Sequence, residues 1–146
     1  MTKPEINHIN SADVDLEQTT EVMRQYLRIK KDNPDSILFY RLGDFYETFF
    51  EDAELISREL ELTLTGRDAG KIGRIPLAGI PVKAVDNYLE KLVAKDFKVA
   101  ICEQLEDPKK AKGLVERGVV RVITAGTLVE SSFLNQTSNN YMCAIF

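Results

Sequence analysis

The stretch ILFYRLGDFYET, residues 37–48, contains two runs rich in apolar residues joined by Gly43-Asp44. The first run, residues 37–42, has the aromatic and aliphatic content typical of a strand. Gly43-Asp44 is suited to a tight turn, because glycine accepts a positive φ at little cost. The stretch therefore predicts a hairpin. On extended backbone its second strand carries Phe45 and Glu47 on one face, where they can act on the same partner.

Helical periodicity appears on both sides of this hairpin. Apolar residues near helical spacing predict an amphipathic helix from about Leu16 to Lys31, which Asn33-Pro34 ends. A second helix is predicted over Asp52–Glu61, where acids at the start favour the helix dipole. The clearest apolar stripe in the chain predicts a third helix over residues 85–93.

The remaining extended segments are predicted as follows. Leu62–Thr65 alternates as a strand does, and Gly66–Arg74 has the glycines and charges of an exposed flexible loop. Two prolines in Ile75–Pro81 favour an edge strand or a buried extended segment and argue against a central strand. Phe97–Cys102 is typical of a strand covered on both faces, and Val119–Thr124 is another strand. Helices between strands imply a crossover, so the predicted class is α/β, a mixed β-sheet flanked by helices.

Length and composition limit the classes of protein. A chain of 146 residues, 44% hydrophobic, suits one domain with its own core. No apolar run approaches the ~20 residues of a membrane span, and the charged N-terminus does not resemble a signal peptide. We therefore expect a soluble, intracellular protein without a membrane segment. Cys102 and Cys143 lie far apart and His8 is the only histidine, which argues against a zinc site and a disulfide.

The charge is unevenly distributed. A net charge of −4 argues against a nucleic-acid binder that acts alone. Residues 44–61 contain seven acids and one base, whereas residues 64–83 contain four bases and one acid. Only the second segment has a charge that suits contact with phosphates.

The sequence also predicts a domain organisation. Residues 1–15 are polar and without pattern, which predicts a disordered leader. The helices and strands of the predicted domain fall within residues 16–130. Residues 131–140 have the composition of a linker, and residues 141–146 are apolar and begin a new strand. That arrangement indicates a chain cut where a neighbouring domain starts.

Several collinear motifs carry a resemblance to a known family. They are LFYRLGDFYE (residues 38–47), IPLAGIP (75–81), AICEQ (100–104), VER (115–117) and VRVITAGT (120–127). Together they resemble the N-terminal mismatch-recognition domain, domain I, of the bacterial MutS family, with a match from about Glu21 to Glu130. The resemblance implies that residues 16–130 are this recognition domain. It also implies that residues 131–146 are the linker and first strand of a truncated connector domain.

The resemblance implies roles for Phe45 and Glu47. Phe45 would be the wedge of a Phe-x-Glu motif, entering the minor groove at a mispaired or unpaired base and kinking the duplex. Glu47 would contact the base. Because a carboxylate beside phosphates is repelled, our hypothesis is that the pKa of Glu47 rises in the complex, so that its carboxyl group can donate a hydrogen bond. Without the family, Phe45 would more often be a core residue and Glu47 a solvated acid.

Further candidate contacts are less specific. Arg67 lies where MutS-like domains carry an arginine and is a candidate for a phosphate contact, as are Lys71 and Arg74. Leu42 and Leu77 are candidates for the minor groove beside the wedge, with a role in the core at least as well supported.

The resemblance also sets expectations for the whole protein. The partner would be mismatched double-stranded DNA, and the full-length protein would form a homodimer and bind MutL. ATP and magnesium would belong to a distant C-terminal domain, so no cofactor and no enzymatic activity are expected here. The location would be the bacterial cytoplasm, in association with the nucleoid.

Two alternatives remain open from the residues alone. Asp44, Glu47, Glu51 and Asp52 could form a magnesium site of a nuclease, since paired carboxylates bind hard cations. No lysine or histidine is evident near them as a general base, and a helix N-terminus explains the same cluster. The other alternative is a protein-interaction module that docks a partner through its acidic helix.

Overall fold

Residues 5–127 are described by a computed structural model, in which six strands form one mixed sheet. The strands are β1 (Ile37–Leu42), β2 (Phe45–Phe49), β3 (Thr65–Asp68), β4 (Arg74–Pro81), β5 (Val99–Gln104) and β6 (Arg117–Ile123). Their order across the sheet is β3-β4-β2-β1-β5-β6. β1 and β5 are parallel, and every other neighbouring pair is antiparallel. The predicted α/β class with a mixed sheet is confirmed.

Helices cover both faces of this sheet. They are α1 (Glu21–Asp32), α2 (Phe50–Leu60) and α3 (Val85–Ala94). α1 packs on one face through Met23, Tyr26 and Leu27, and we call this the α1 face. α2 and α3 pack mainly on the other face. Neighbouring residues of β5 belong to opposite core clusters, so this strand is covered on both sides, as predicted. No helix within residues 5–127 has both the length and the apolar character needed to cross a membrane.

Local sequence accounts for the hairpin and for the start of α1. β1, the turn and β2 lie where they were predicted, and Gly43 has a φ of +64° that favours glycine. α1 begins at Glu21, later than predicted, because the Thr20 side chain accepts a hydrogen bond from the backbone N–H of Met23 and caps the helix there. The preceding residues Leu16–Gln18 form a separate 3₁₀ turn.

The boundaries predicted within residues 62–74 were wrong: part of the predicted loop belongs to β3, and only residues 69–73 connect β3 to β4. The strand in this part of the chain is Thr65–Asp68, and Leu62 and Leu64 are half-buried residues that pack against the core from a connecting segment. Gly66 lies in that strand, beneath the side chain of Arg74. A Cβ on Gly66 would come within 2.7 Å of the Arg74 Cγ. The glycine therefore provides room for a neighbouring side chain and does not mark a loop.

The position predicted for residues 75–81 was also wrong, because β4 is an interior strand with β3 and β2 on its two sides. Its two ladders meet only at Leu77: β3 pairs with Arg74 to Leu77, and β2 pairs with Leu77 to Pro81. Pro76 lies outside the ladder with β2, and Pro81 lies beyond the ladder with β3. Each proline therefore has a neighbouring strand on one side only, which explains why an interior strand tolerates them.

The N-terminal residues differ from the disordered leader that composition suggested. Residues 5–15 run along the domain, where the backbone N–H of Asn7 donates to the carbonyl of Arg74 at 2.6 Å. The backbone N–H of Ser11 donates to the Glu51 carboxylate at 2.9 Å, and Ser11–Asp13 form a short 3₁₀ helix. Polar composition did not reveal these contacts because their partners lie far away in the sequence. The predictions for residues 128–146 lie outside the described part of the chain.

A buried ion pair joins α1, α2 and β1. The Lys30 ammonium lies 2.9 Å from the Asp52 carboxylate, and both residues are buried. The same carboxylate accepts a hydrogen bond from the backbone N–H of Leu38 at 3.0 Å. Lys30 also donates to the carbonyl of Ser36 at 2.6 Å. Burial raises the pKa of Asp52, and the nearby Lys30 opposes that rise.

Candidate nucleic-acid interface

Phe45 lies at the tip of the hairpin, and its side chain is partly exposed to solvent. Its exposure is 43%, whereas Phe39, Phe49 and Phe50 are fully buried. It follows the Gly43-Asp44 turn directly and lies opposite Leu42 on β1. The carbonyl of Asp44 accepts a hydrogen bond from the backbone N–H of Val82 at 2.9 Å, so the turn is also attached to the end of β4. An aromatic ring is thus presented to solvent from anchored backbone.

Glu47 lies two residues further along β2, on the same α1 face as Phe45. Its partner on β4 is Gly79, and the Glu47 side chain lies across that glycine. A Cβ on Gly79 would come within 2.8 Å of the Glu47 Cδ. Gly79 therefore creates the space in which the carboxylate lies against the sheet.

The environment of Glu47 favours its neutral form. Partial burial raises the pKa of Glu47, and the positive charge of Arg67 opposes that rise. The structure records no hydrogen bond to this carboxylate from within residues 5–127. Glu47 is thus a desolvated acid whose oxygens remain free to bind a ligand.

The three candidate basic residues do not form one patch. Arg67 is half-buried on β3, opposite Ile75, and therefore shares the α1 face with Glu47. Arg74 lies on the opposite face, across Gly66. Lys71 is exposed in the turn between β3 and β4. Of the three, only Arg67 shares the α1 face with the Phe45–Glu47 pair and acts electrostatically on Glu47.

Leu42 and Leu77 lie on the α1 face as well. Leu42 is opposite Phe45, and Leu77 is opposite Phe49. Both are half-buried and pack against the core cluster under α1. Leu42 is therefore the neighbour of Phe45 across the hairpin, whereas Leu77 lies four residues along β4 from Pro81, the residue paired with Phe45.

The four carboxylates that the nuclease alternative requires lie in different environments. Asp52 is buried with Lys30, and Glu51 accepts hydrogen bonds from Ser11. Glu47 lies over Gly79, while Asp44 is exposed in the turn. Within residues 5–127 no group of three or more potential ligands converges on a metal position. The structure therefore does not assemble the cluster that the alternative requires.

Sequence reasoning missed three residues that contact or support this hairpin. Gly79 was read only as part of an apolar strand, although its place opposite Glu47 requires a glycine. Glu103 accepts from Arg41 at 3.1 Å, and Arg117 donates to the carbonyl of Arg41 at 2.7 Å. All three lie within motifs quoted above for the family resemblance. Their roles depend on strand register, which those motifs do not show.

These features define a class of protein: a small α/β domain that presents an exposed aromatic and a half-buried acid from a hairpin. Comparison with known proteins agrees with the family suggested by the motifs. The family model for MutS domain I matches residues 20–132. The chain is 62% identical over 133 residues to the DNA mismatch repair protein MutS of Symbiobacterium thermophilum, covering 90% of this chain and 15% of the relative. It is 61% identical over 126 residues to that of Desulforamulus reducens, covering 86% of this chain and 14% of the relative.

The chain therefore belongs to the MutS family and corresponds to its domain I. The relatives named above are DNA mismatch repair proteins, and this chain matches the domain I segment of their family. It spans about 15% of the length of the curated relatives that it matches. What the whole protein binds and does is therefore a matter for proposal.

Proposed function

We propose that this domain recognises mispaired or unpaired bases in duplex DNA, with Phe45 as a wedge that enters the minor groove and stacks on a weakly held base. The observation that carries the proposal is the exposure of Phe45, 43%, at the tip of an anchored hairpin. Burying a phenylalanine stabilises a protein by ~1.5–3 kcal/mol, so a ring that is 43% exposed forgoes part of that gain in the free domain. Binding DNA recovers it.

The wedge discriminates by the cost of separating bases. Opening a base step costs a few kcal/mol, and less where pairing is already faulty. Stacking on an aromatic ring is worth ~1–3 kcal/mol per base and tolerates any base. One phenylalanine therefore responds to many kinds of mismatch, because it senses deformability and not base identity. The duplex kinks at the step where the ring enters.

Glu47 contacts the displaced base in this proposal. Burial already raises the pKa of Glu47 in the free domain. DNA excludes more water and adds negative phosphates, both of which favour the protonated carboxyl group. A protonated Glu47 donates a hydrogen bond to a base nitrogen, whereas the carboxylate only accepts.

Arg67 provides the backbone contact closest to this pair, since it shares the α1 face with Glu47. Lys71 and Arg74 contact phosphates only where the duplex extends beyond that face. With so few basic groups, the domain alone binds weakly and its affinity depends little on salt, because log K falls by ~0.9 for each phosphate neutralised. The remaining affinity comes from other parts of a full-length MutS protein.

That protein acts as a homodimer with MutL as a partner, and ATP and magnesium bind at its C-terminal domain. Its location is the cytoplasm, at the nucleoid. These statements extend the proposal from the domain to the complete protein.

The wedge is tested with Phe45→Ala in the complete protein that carries this domain. Dissociation constants are measured for a duplex with one mismatch and for the matched duplex of the same sequence. Loss of stacking predicts a fall of roughly 5- to 100-fold in affinity for the mismatch, with little change for the matched duplex. Val122→Ala is the matched control, because Val122 is an apolar side chain with 39% exposure on the edge strand β6, away from the hairpin turn. Unchanged discrimination in Phe45→Ala would refute the proposal.

The role of Glu47 is tested by comparing Glu47→Gln with Glu47→Ala across pH. The amide donates a hydrogen bond without protonation, so Glu47→Gln should retain mismatch binding and lose its pH dependence. Glu47→Ala should weaken mismatch binding at every pH. Equal losses for the two variants throughout the pH range would contradict the protonation step and leave the wedge intact.

A further inference from the structure

Arg41 connects the hairpin turn to β5. It lies on β1 just before the turn, on the face opposite Phe45. Its Nε donates to the carbonyl of Gly43 at 2.6 Å, and its guanidinium lies 3.1 Å from the Glu103 carboxylate. The turn that precedes Phe45 is thus linked to the neighbouring strand through one side chain.

The second carboxylate oxygen of Glu103 accepts a hydrogen bond from the Tyr46 hydroxyl. Burial and the interaction with Glu103 raise the pKa of Tyr46 to about 12, so its hydroxyl is a donor at neutral pH. The guanidinium of Arg41 also lies 5.7 Å from the centre of the Tyr46 ring. Glu103 therefore joins the residues on both sides of the turn, Arg41 and Tyr46. Tyr46 is the residue next to Phe45.

Arg117 fixes the backbone of the same strand from β6. It is buried, and its Nε donates to the carbonyl of Arg41 at 2.7 Å. Its guanidinium lies 4.7 Å from the centre of the Tyr40 ring. Arg41 is therefore held at its carbonyl by Arg117 and at its side chain by Glu103.

We propose that Glu103 is a positioning residue for the Phe45 wedge, holding the hairpin in its binding conformation before DNA arrives. A flexible hairpin would lose conformational freedom on binding, and a hairpin already fixed by Glu103 avoids most of that loss. This inference rests on the proposed function of Phe45. Glu103 itself need not touch DNA, because it lies on the face of the sheet opposite Phe45.

A purely structural role for Glu103 predicts something different. The Arg41–Glu103 pair is only about one-quarter exposed at each side chain, so loss of the Glu103 charge also lowers the stability of the fold. Any loss of stability would weaken binding to matched and mismatched DNA equally. A positioning role reduces discrimination between them while the domain stays folded.

The experiment uses Glu103→Gln in the complete protein, with Glu90→Gln as the matched control on the exposed surface of α3. The amide keeps the shape of the side chain and removes its charge and one acceptor oxygen. Dissociation constants are measured for mismatched and matched duplexes of the same sequence, together with thermal unfolding of each variant. We expect about a fivefold loss of affinity for the mismatch, less than twofold for the matched duplex, and no change with Glu90→Gln.

The second measurement repeats the substitution in a Phe45→Ala protein. If Glu103 acts through the wedge, Glu103→Gln should cause no further loss once the ring is absent. A loss that adds to that of Phe45→Ala, or an equal loss on both duplexes, would overturn the inference. The inference fails alone if Phe45→Ala abolishes discrimination and Glu103→Gln leaves discrimination unchanged. Unchanged discrimination in Phe45→Ala contradicts the proposed function itself.

Discussion

Asp52 and Glu47 are two carboxylates on consecutive elements, and they differ in whether the protein itself binds their oxygens. Burial raises the pKa of both. Asp52 lies 2.9 Å from Lys30 and accepts the backbone N–H of Leu38, so its oxygens are satisfied within the protein. Glu47 is partly buried, which raises its pKa, and the positive charge of Arg67 opposes that rise. No hydrogen bond to the Glu47 carboxylate is recorded within residues 5–127. The pKa is raised at both residues, but only Glu47 has carboxylate oxygens available to a ligand. This difference supports the proposed binding role of Glu47.

Removing Asp52 should have the largest effect on stability. Asp52→Ala leaves the Lys30 ammonium buried without a counter-charge, which costs about 3–5 kcal/mol of unfolding free energy. Urea unfolding of the 146-residue chain measures it. The double variant Lys30→Met/Asp52→Ala removes both charges and should be more stable than Asp52→Ala. If the single and double variants were equally unstable, the cost would not come from the unpaired charge.

The second prediction concerns the space beside Glu47. Gly79→Ala places a Cβ against the Glu47 carboxyl group, which is the end of a flexible side chain, and should destabilise the domain by about 1 kcal/mol as that group moves aside. Glu47→Ala in the same chain should restore most of that loss, because it removes the side chain that collides. Gly118→Ala is the matched control, since its new Cβ would meet only the exposed Leu105 side chain, at 3.1 Å. Equal destabilisation by Gly79→Ala with and without Glu47 would show that the glycine serves another purpose.

The smallest effect is a change in the pH dependence of stability. Because the pKa of Glu47 is raised in the folded chain, protonation favours folding, and this contribution is lost as pH rises through the folded-state pKa. Glu47→Gln cannot ionise. Its unfolding free energy relative to the unmodified chain should therefore rise between about pH 4 and pH 7. Urea unfolding at several pH values measures the difference, with Glu90→Gln as the control for loss of one surface charge. A difference that falls with pH would contradict the direction of the shift.

The sequence was sufficient to predict the hairpin and to select two candidate residues on it. β1, the turn and β2 follow from local features: aromatic and aliphatic residues, then a Gly-Asp pair, then alternation. The family motif then selected Phe45 and Glu47. The exposure of Phe45 in the structure agrees with that selection, although a phenylalanine is more often a core residue.

The sequence was insufficient where a residue's role depends on a neighbour from another strand. Gly66 suggested a loop, yet it lies in β3 beneath the side chain of Arg74. Gly79 and Glu103 acquire their roles only when register brings them to Glu47 and Arg41. A single sequence gives local periodicity and turn chemistry, but it does not give the register of strands far apart in the chain.

The parallel pairing of β1 with β5 has a consequence for the order in which the protein folds during synthesis. Arg41 and its partner Glu103 are 62 residues apart. A hairpin forms within ~1–10 μs, whereas ribosomes add roughly 5–20 residues per second. The β1–β2 hairpin therefore emerges about 3–12 s before the strand that anchors it. During that interval β4 can already hold the turn through the Asp44–Val82 hydrogen bond, so we expect the contact of Arg41 with Glu103 to be the last to fix the turn beside Phe45.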